Sequence, residues 1–120
     1  MKTVLIVEDV ELNRELLVQL LEDDYRLVLA EDGIGALERV AEAQPDLILM
    51  DLSLPRMDGW EATRRLKADE RFARIPVIVL SAHAMRGDEE RARASGCDDF
   101  LTKPIDETLL LRKLAGYLGN

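Results

Sequence analysis

Apolar residues along this chain come largely as short runs, the fifth of them shorter and more polar, that alternate with longer stretches of helical spacing. Thr3 to Val7, Arg26 to Ala30, Leu47 to Met50, Pro76 to Ala82 and Cys97 to Thr102 are each too short for a free-standing helix and predict strands. The third, four apolar residues in a row ending on Asp51, reads as a strand buried on both faces. Between the runs the spacing changes. Leu12, Leu16, Leu17, Leu20 and Leu21 recur among polar residues and predict an amphipathic helix from about Glu11 to Glu22. Ile34, Leu37, Val40 and Ala41 mark a second helix that must finish before Pro45. Trp60, Thr63 and Leu66 mark a third, with Arg64, Arg65 and Lys67 on its other face. A fourth carries Asp88, Glu89 and Glu90 at its positive end and runs to Ser95, with Gly96 as its stop. Leu109, Leu110, Leu111, Leu114 and Leu118 mark the closing helix. Asp32-Gly33, Pro55 and Asp58-Gly59 are turn signals.

Five strands alternating with five helices predict an α/β domain, a parallel sheet with helices on both faces. Residues 1–120 read as one such domain, without repeat, low-complexity tract or linker. In an open sheet of this kind ligands bind beyond the carboxyl ends of the strands, where the strand order reverses. Polar residues at those ends therefore carry the candidate chemistry. Glu8 and Asp9 follow the first strand, Asp51 ends the third, Ser81 lies at the end of the fourth, and Lys103 follows the fifth.

Composition narrows the classes. A chain of 120 residues, 48% hydrophobic, can bury one core and not two. Its net charge of −8 disfavours a general attraction to nucleic acid or anionic membrane. Cys97 is the single cysteine, which excludes an internal disulfide and any multi-cysteine zinc site and reads as a small buried hydrophobe. The N-terminal apolar run is far short of a signal peptide and no segment has the length of a membrane span, so a cytoplasmic location is expected.

Three carboxylates in one pocket repel one another unless a cation intervenes. Magnesium suits such a set, because it takes oxygen ligands and is often held by one or two carboxylates beside phosphate oxygens. The Ser81 hydroxyl and the Lys103 ammonium are groups that a phosphoryl moiety would need, and Asp51 between them is a plausible nucleophile forming an acyl phosphate. Singly, each residue has an ordinary reading as a solvated carboxylate, a turn cap or a surface lysine. Together, five residues of matching chemistry at four strand ends on one edge point to a site.

The stretches VLIVEDVELNRELL, Asp51 with LSLPRMDGWE behind it, PVIVLSA and FLTKPI resemble the landmarks of the response-regulator receiver domain of two-component signalling, in order and spacing, over essentially the whole chain. The resemblance implies a flavodoxin-like (βα)5 doubly wound parallel sheet with strand order 2-1-3-4-5. It implies that Asp51 accepts a phosphoryl group, that Glu8 and Asp9, with Asp51 and the Ser53 backbone carbonyl, hold Mg2+, and that Lys103 and Ser81 contact the phosphoryl oxygens. The backbone N–H groups of Ser53 and Ala82 complete that cradle, and Phe100 takes the aromatic switch position beside Ser81. Lys103-Pro104 is expected as a cis peptide. The implied donor is a phosphohistidine on a sensor histidine kinase or histidine phosphotransfer protein. The implied output is contact of a downstream protein with the face of the fourth helix, fifth strand and fifth helix, with no nucleic acid and no membrane. The domain would catalyse its own phosphorylation and dephosphorylation as a switch and not as a turnover enzyme. Ser53 and His83, two positions beyond Asp51 and Ser81, would flank the approach of water and set the lifetime.

Other classes fit less well. A dehalogenase-type phosphatase needs a second acid two residues after its aspartate, where this chain has Ser53. A nucleotide switch needs a GxxxxGK[ST] loop, which the sequence lacks. A receiver-like scaffold working without phosphorylation would have lost part of the acidic set, which is complete. An internal phosphohistidine at His83, the single histidine, is not needed to account for the site. The alternative that shares the chemistry is a receiver of a hybrid kinase or a phosphorelay intermediate.

Overall fold

In the computed structural model, residues 1–52, 54, 56–81 and 86–119 are described, with the side chains of 86–89 and 92 excepted. The elements are β1 (Thr3–Val7), α1 (Glu11–Leu21), β2 (Arg26–Ala30), α2 (Gly33–Ala43), β3 (Leu47–Asp51), α3 (Gly59–Ala68), β4 (Val77–Ser81), α4 (Arg86–Ser95), β5 (Asp99–Thr102) and α5 (Glu107–Leu118). All strand pairs are parallel and the order is β2-β1-β3-β4-β5, as the resemblance implied.

That order determines where the helices lie. Parallel crossovers are right-handed, so reversing direction after β2 sends α1 to one face of the sheet and α2 and α3 to the other. The strand residues divide accordingly. Val4, Ile6, Leu47, Leu49, Ile78 and Leu80 pack with Leu17 and Leu21 of α1 and Leu110, Leu114 and Leu118 of α5. Leu5, Val7, Ile48, Met50, Val77 and Val79 pack with Ala36 and Val40 of α2 and Trp60 and Leu66 of α3. Alternating side chains of strands covered on both faces read as continuous apolar runs, which is why the sequence shows no polar alternation there.

Three helices start on aspartates whose side chains accept a backbone N–H: Asp32 from Gly35, Asp58 from Glu61 and Asp106 from Leu109. The pairs Asp32-Gly33 and Asp58-Gly59, expected only as turns, are thus also helix starts. Strand edges are tighter than expected. β4 starts at Val77 because Pro76 can offer the ladder only its carbonyl, taken by Ile48 N–H at 2.9 Å. β5 starts at Asp99 because the Asp98 side chain itself takes the Val77 N–H at 2.8 Å.

The leucine stripe of α1 divides. Leu17 and Leu21 are buried, whereas Leu12 and Leu16 are 65% and 57% exposed. One helix cannot turn both rows to one sheet, since Leu12 and Leu16 lie about 100° or more around the axis from Leu17. Cys97 is half-buried against the α2/α3 core, and burial pushes its thiol pKa up, in keeping with a packing role.

Candidate functional site

The reversal of strand order lies between β1 and β3, and the residues just beyond them are Glu8, Asp9 and Asp51. Asp51 continues a fully buried strand and is itself 3% exposed. The turn after it is close-packed. Gly59 N–H donates to Leu52 O at 3.2 Å, and a Cβ at Gly59 would stand 2.3 Å from the Asp51 carbonyl oxygen. Only glycine lets α3 begin that close to the candidate nucleophile.

Glu8 is 1% exposed and both its oxygens are engaged. Oε1 accepts the N–H of Val10, and Oε2 accepts from Lys103 Nζ at 3.0 Å. Arg14, one turn into α1, donates to the Glu8 backbone carbonyl at 3.0 Å and so holds the β1–α1 loop from the helix side. Asp9 is exposed, and one carboxylate oxygen each of Glu8, Asp9 and Asp51 lie within 4.8 Å of one another.

Lys103 arrives from the far end of β5. Its backbone N–H donates to Ser81 O at 2.7 Å, its peptide bond to Pro104 is cis as expected, and Nζ lies 3.1 Å from Asp51 Oδ1. Burial would lower the Lys103 pKa, but the hydrogen bond to Glu8 and the charge of Asp51 outweigh it and hold the pKa above the usual lysine value. For Glu8, burial is the largest influence and raises its pKa, partly offset by the Lys103 hydrogen bond and reinforced by the charge of Asp51. Among the described residues one ammonium faces three carboxylates, a set with a surplus of negative charge. That donor set, hard oxygens with uncompensated charge, fits a small divalent cation such as Mg2+.

Ser81 ends β4, 2% exposed, and pairs in register with Thr102 immediately before Lys103. Phe100, half-buried, packs against the α2/α3 core. The structure thus brings Glu8, Asp9, Asp51 and Lys103 together with Ser81 on the same edge. Ser53, Ala82 and His83 lie outside the described residues, so their expected roles in metal binding, phosphoryl contact and lifetime concern positions whose structure is not described.

Two residues that sequence reasoning passed over border the site. Asp32 receives both Nε and Nη2 of Arg56, at 2.8 and 2.6 Å, on a single oxygen. The signal was Asp32 three residues before Gly35, a helix-start spacing, but nothing local announces a partner 24 residues away.

Comparison with known proteins agrees with this arrangement. The response regulator receiver domain model matches residues 4–115. The polar-differentiation response regulator DivK of Brucella ovis is 45% identical over 120 residues, covering 99% of this chain and 98% of that protein. The signal receiver domain of a signal transduction histidine kinase from Syntrophus aciditrophicus superposes with a TM-score of 0.93 at 33% identity, covering 99% of this chain and 91% of that one. The receiver domain of a sensor histidine kinase from Pseudomonas aeruginosa, solved with a magnesium ion coordinated in its active site cleft, has a TM-score of 0.91 at 38% identity, covering 99% and 98%. With an aspartate-ended central strand facing two further carboxylates and a lysine, and with likeness along its whole length, the chain belongs to the response-regulator receiver domain family.

Proposed function

We propose that residues 1–120 act as one phosphorylatable receiver in which Asp51 takes a phosphoryl group from a phosphohistidine of a sensor histidine kinase or histidine phosphotransfer protein. The observation that carries this reading is the placement of Asp51. It is a nearly buried carboxylate, 3.1 Å from the Lys103 ammonium, in a pocket with negative charge to spare. A carboxylate oxygen of Asp51 attacks phosphorus, the bond from phosphorus to the imidazole nitrogen breaks, and the imidazole leaves. Hydrolysis later adds water at phosphorus, breaks the bond to the Asp51 oxygen and releases inorganic phosphate.

Glu8, Asp9 and Asp51, with the Ser53 backbone carbonyl, would hold Mg2+. When bound, the ion neutralises charge shared between the carboxylates and the phosphoryl oxygens. Lys103 supplies a preorganised positive charge at the other side of Asp51, already held in place by Glu8. Ser81, with the backbone N–H groups of Ser53 and Ala82, binds the phosphoryl oxygens. The site catalyses its own loading and unloading, and its product is a changed surface.

That change runs through Ser81 and Phe100 to the α4, β5 and α5 face, where a downstream protein binds. Ser53 and His83 flank the water approach and set the lifetime: Ser53, being small, leaves the path open, and His83 partly shields the phosphoryl group. The reading includes a cytoplasmic location and no contact with nucleic acid; no helix among the described residues is long and apolar enough to cross a membrane.

The test is incubation with acetyl phosphate and magnesium followed by intact-mass measurement. The wild type is expected to gain one phosphoryl group and Asp51→Asn none. A gain of the same mass in Asp51→Asn would sink the assignment.

A further inference from the structure

We infer that Asp32 and Arg56, which touch none of the reacting groups, are positioning residues for Mg2+ binding: together they clamp the loop that leaves Asp51 onto the start of α2. The inference rests on the proposed phosphoryl-accepting function. β2, the edge strand beyond β1, is the one strand that contributes no candidate site residue. Its end is nevertheless tied to the site on both sides. Ala30 O accepts the Glu8 N–H at 3.0 Å, and the Gly33 N–H donates to Met57 O at 3.1 Å.

Arg56 completes this second tie. It adopts a left-handed backbone with φ of 63°, a region disfavoured for a residue with a Cβ and open to glycine. Glycine would satisfy the backbone; what arginine adds is the guanidinium, which closes on Asp32 Oδ2 through two hydrogen bonds. The other carboxylate oxygen, Oδ1, accepts the Gly35 N–H at 2.6 Å and caps α2. One carboxylate thus joins a helix start to the loop between Asp51 and α3. The Asp32 side chain is 13% exposed, so the joint is sheltered although Arg56 itself is open to solvent. The Gly35 N–H first, and Arg56 with it, hold the Asp32 pKa below the usual carboxylate value, so the clamp is charged at neutral pH. The approach beneath it has no slack, since a Cβ at Gly33 would lie 2.3 Å from Met57 O.

Positioning and plain electrostatics predict opposite outcomes for Arg56 and the same direction for Asp32. If Arg56 merely added charge near an acidic pocket, removing it would tighten Mg2+ binding, and removing the Asp32 charge would weaken it. If the pair acts as a clamp, both changes weaken binding. Magnesium titration followed by the fluorescence of Trp60, the single tryptophan, beside the glycine packed on Asp51, reads this directly. Arg56→Ala, Arg56→Gly and Asp32→Asn are each expected to weaken binding about three- to tenfold, at or below the low end of losses from removing outer partners of metal ligands. Asp32→Asn keeps an oxygen for the α2 cap, and Arg56→Gly keeps the backbone region, so neither effect would be one of folding. The double variant Asp32→Asn/Arg56→Ala is expected to be no weaker than either single one.

Tighter binding in Arg56→Ala, wild-type affinity in Arg56→Gly, or additive losses in the double variant would each overturn the clamp. A wild type that shows neither a magnesium response nor a phosphorylated mass with acetyl phosphate would instead bring down the phosphoryl-accepting reading, and the clamp with it. Normal wild-type binding with unaffected variants would remove the clamp alone.

Discussion

Two lysines lie at opposite edges of the sheet, and they differ in what surrounds them. Lys67, on α3 at the amino-terminal edge, donates to Ala73 O at 3.1 Å, Ile75 O at 2.8 Å and Asp98 Oδ2 at 2.6 Å. Its three donors meet three acceptors and its charge meets one opposite charge. Lys103, at the carboxyl edge, meets Glu8 and Asp51 with Asp9 close by, and cannot neutralise them all. The first is a closed set of charges and hydrogen bonds and reads as a staple for the α3–β4 connection. The second leaves charge for something else to balance. Burial alone does not separate them, since both side chains are largely covered, 15% and 23% exposed. The imbalance does.

The sharpest way to break the comparison is to remove each lysine in turn. Lys67→Met leaves Asp98 and two carbonyls without their donor, and is expected to cost about 2–3 kcal/mol, between the values for exposed and buried pairs. For a domain of this size that is on the order of 10 °C in the melting midpoint. Added magnesium should not restore it, and phosphorylation of the folded fraction should proceed normally. Lys103→Met should behave the other way round. Its stability in chelator falls as well, but magnesium recovers it by binding the native state, while the phosphorylation rate drops by about 100-fold. Equal magnesium rescue of both variants would erase the distinction.

The pH dependence of stability, measured in chelator, should show the same contrast with a smaller amplitude. The raised Glu8 pKa means the native state binds a proton more readily than the unfolded chain. Stability from this group is present below the unfolded glutamate value, about 4.3, and is lost as pH rises through the folded value. Asp99 has the opposite sign. Burial would raise its pKa, but hydrogen bonds from Lys113 and the Phe100 N–H prevail and lower it. Its contribution is present above the unfolded aspartate value and is lost as pH falls through the folded one. Glu8→Gln should therefore remove the decline on the rising side, and Asp99→Asn should make acid unfolding shallower. Urea midpoints across the range would check both, and an unchanged rising side in Glu8→Gln would refute the assignment.

The smallest effect tests whether any unsatisfied buried group marks function. Thr63 Oγ1 is buried with no hydrogen-bond partner among the described residues, yet it is uncharged and lies on α3 facing the core. Thr63→Val is expected to leave phosphorylation unchanged and to raise stability by up to about 1 kcal/mol, since it removes a desolvated hydroxyl. A loss of phosphorylation in that variant would show that surplus charge is not the right criterion.

Much of the site is legible in the amino-acid sequence, for a local reason. A polar residue ending an apolar strand must emerge at the sheet edge, so Asp51, Glu8, Ser81 and Lys103 announce their place through their immediate neighbours. The same logic misplaces Leu12 and Leu16, because leucines at helical spacing do not say which row of the helix meets the sheet. It passes over Lys67 with Asp98, and Arg56 with Asp32, which are 31 and 24 residues apart.

The sequence by itself determined the alternation of strand and helix and the chemistry collected at one edge, because periodicity and strand-end polarity act over a few residues. Only the tertiary structure decided which charges balance which. Strand order and register bring β1, β3 and β5 ends to one pocket and lay the loop after Asp51 against the start of α2. Whether a half-buried lysine is a staple or part of a site depends on those distant partners, and no local pattern encodes them.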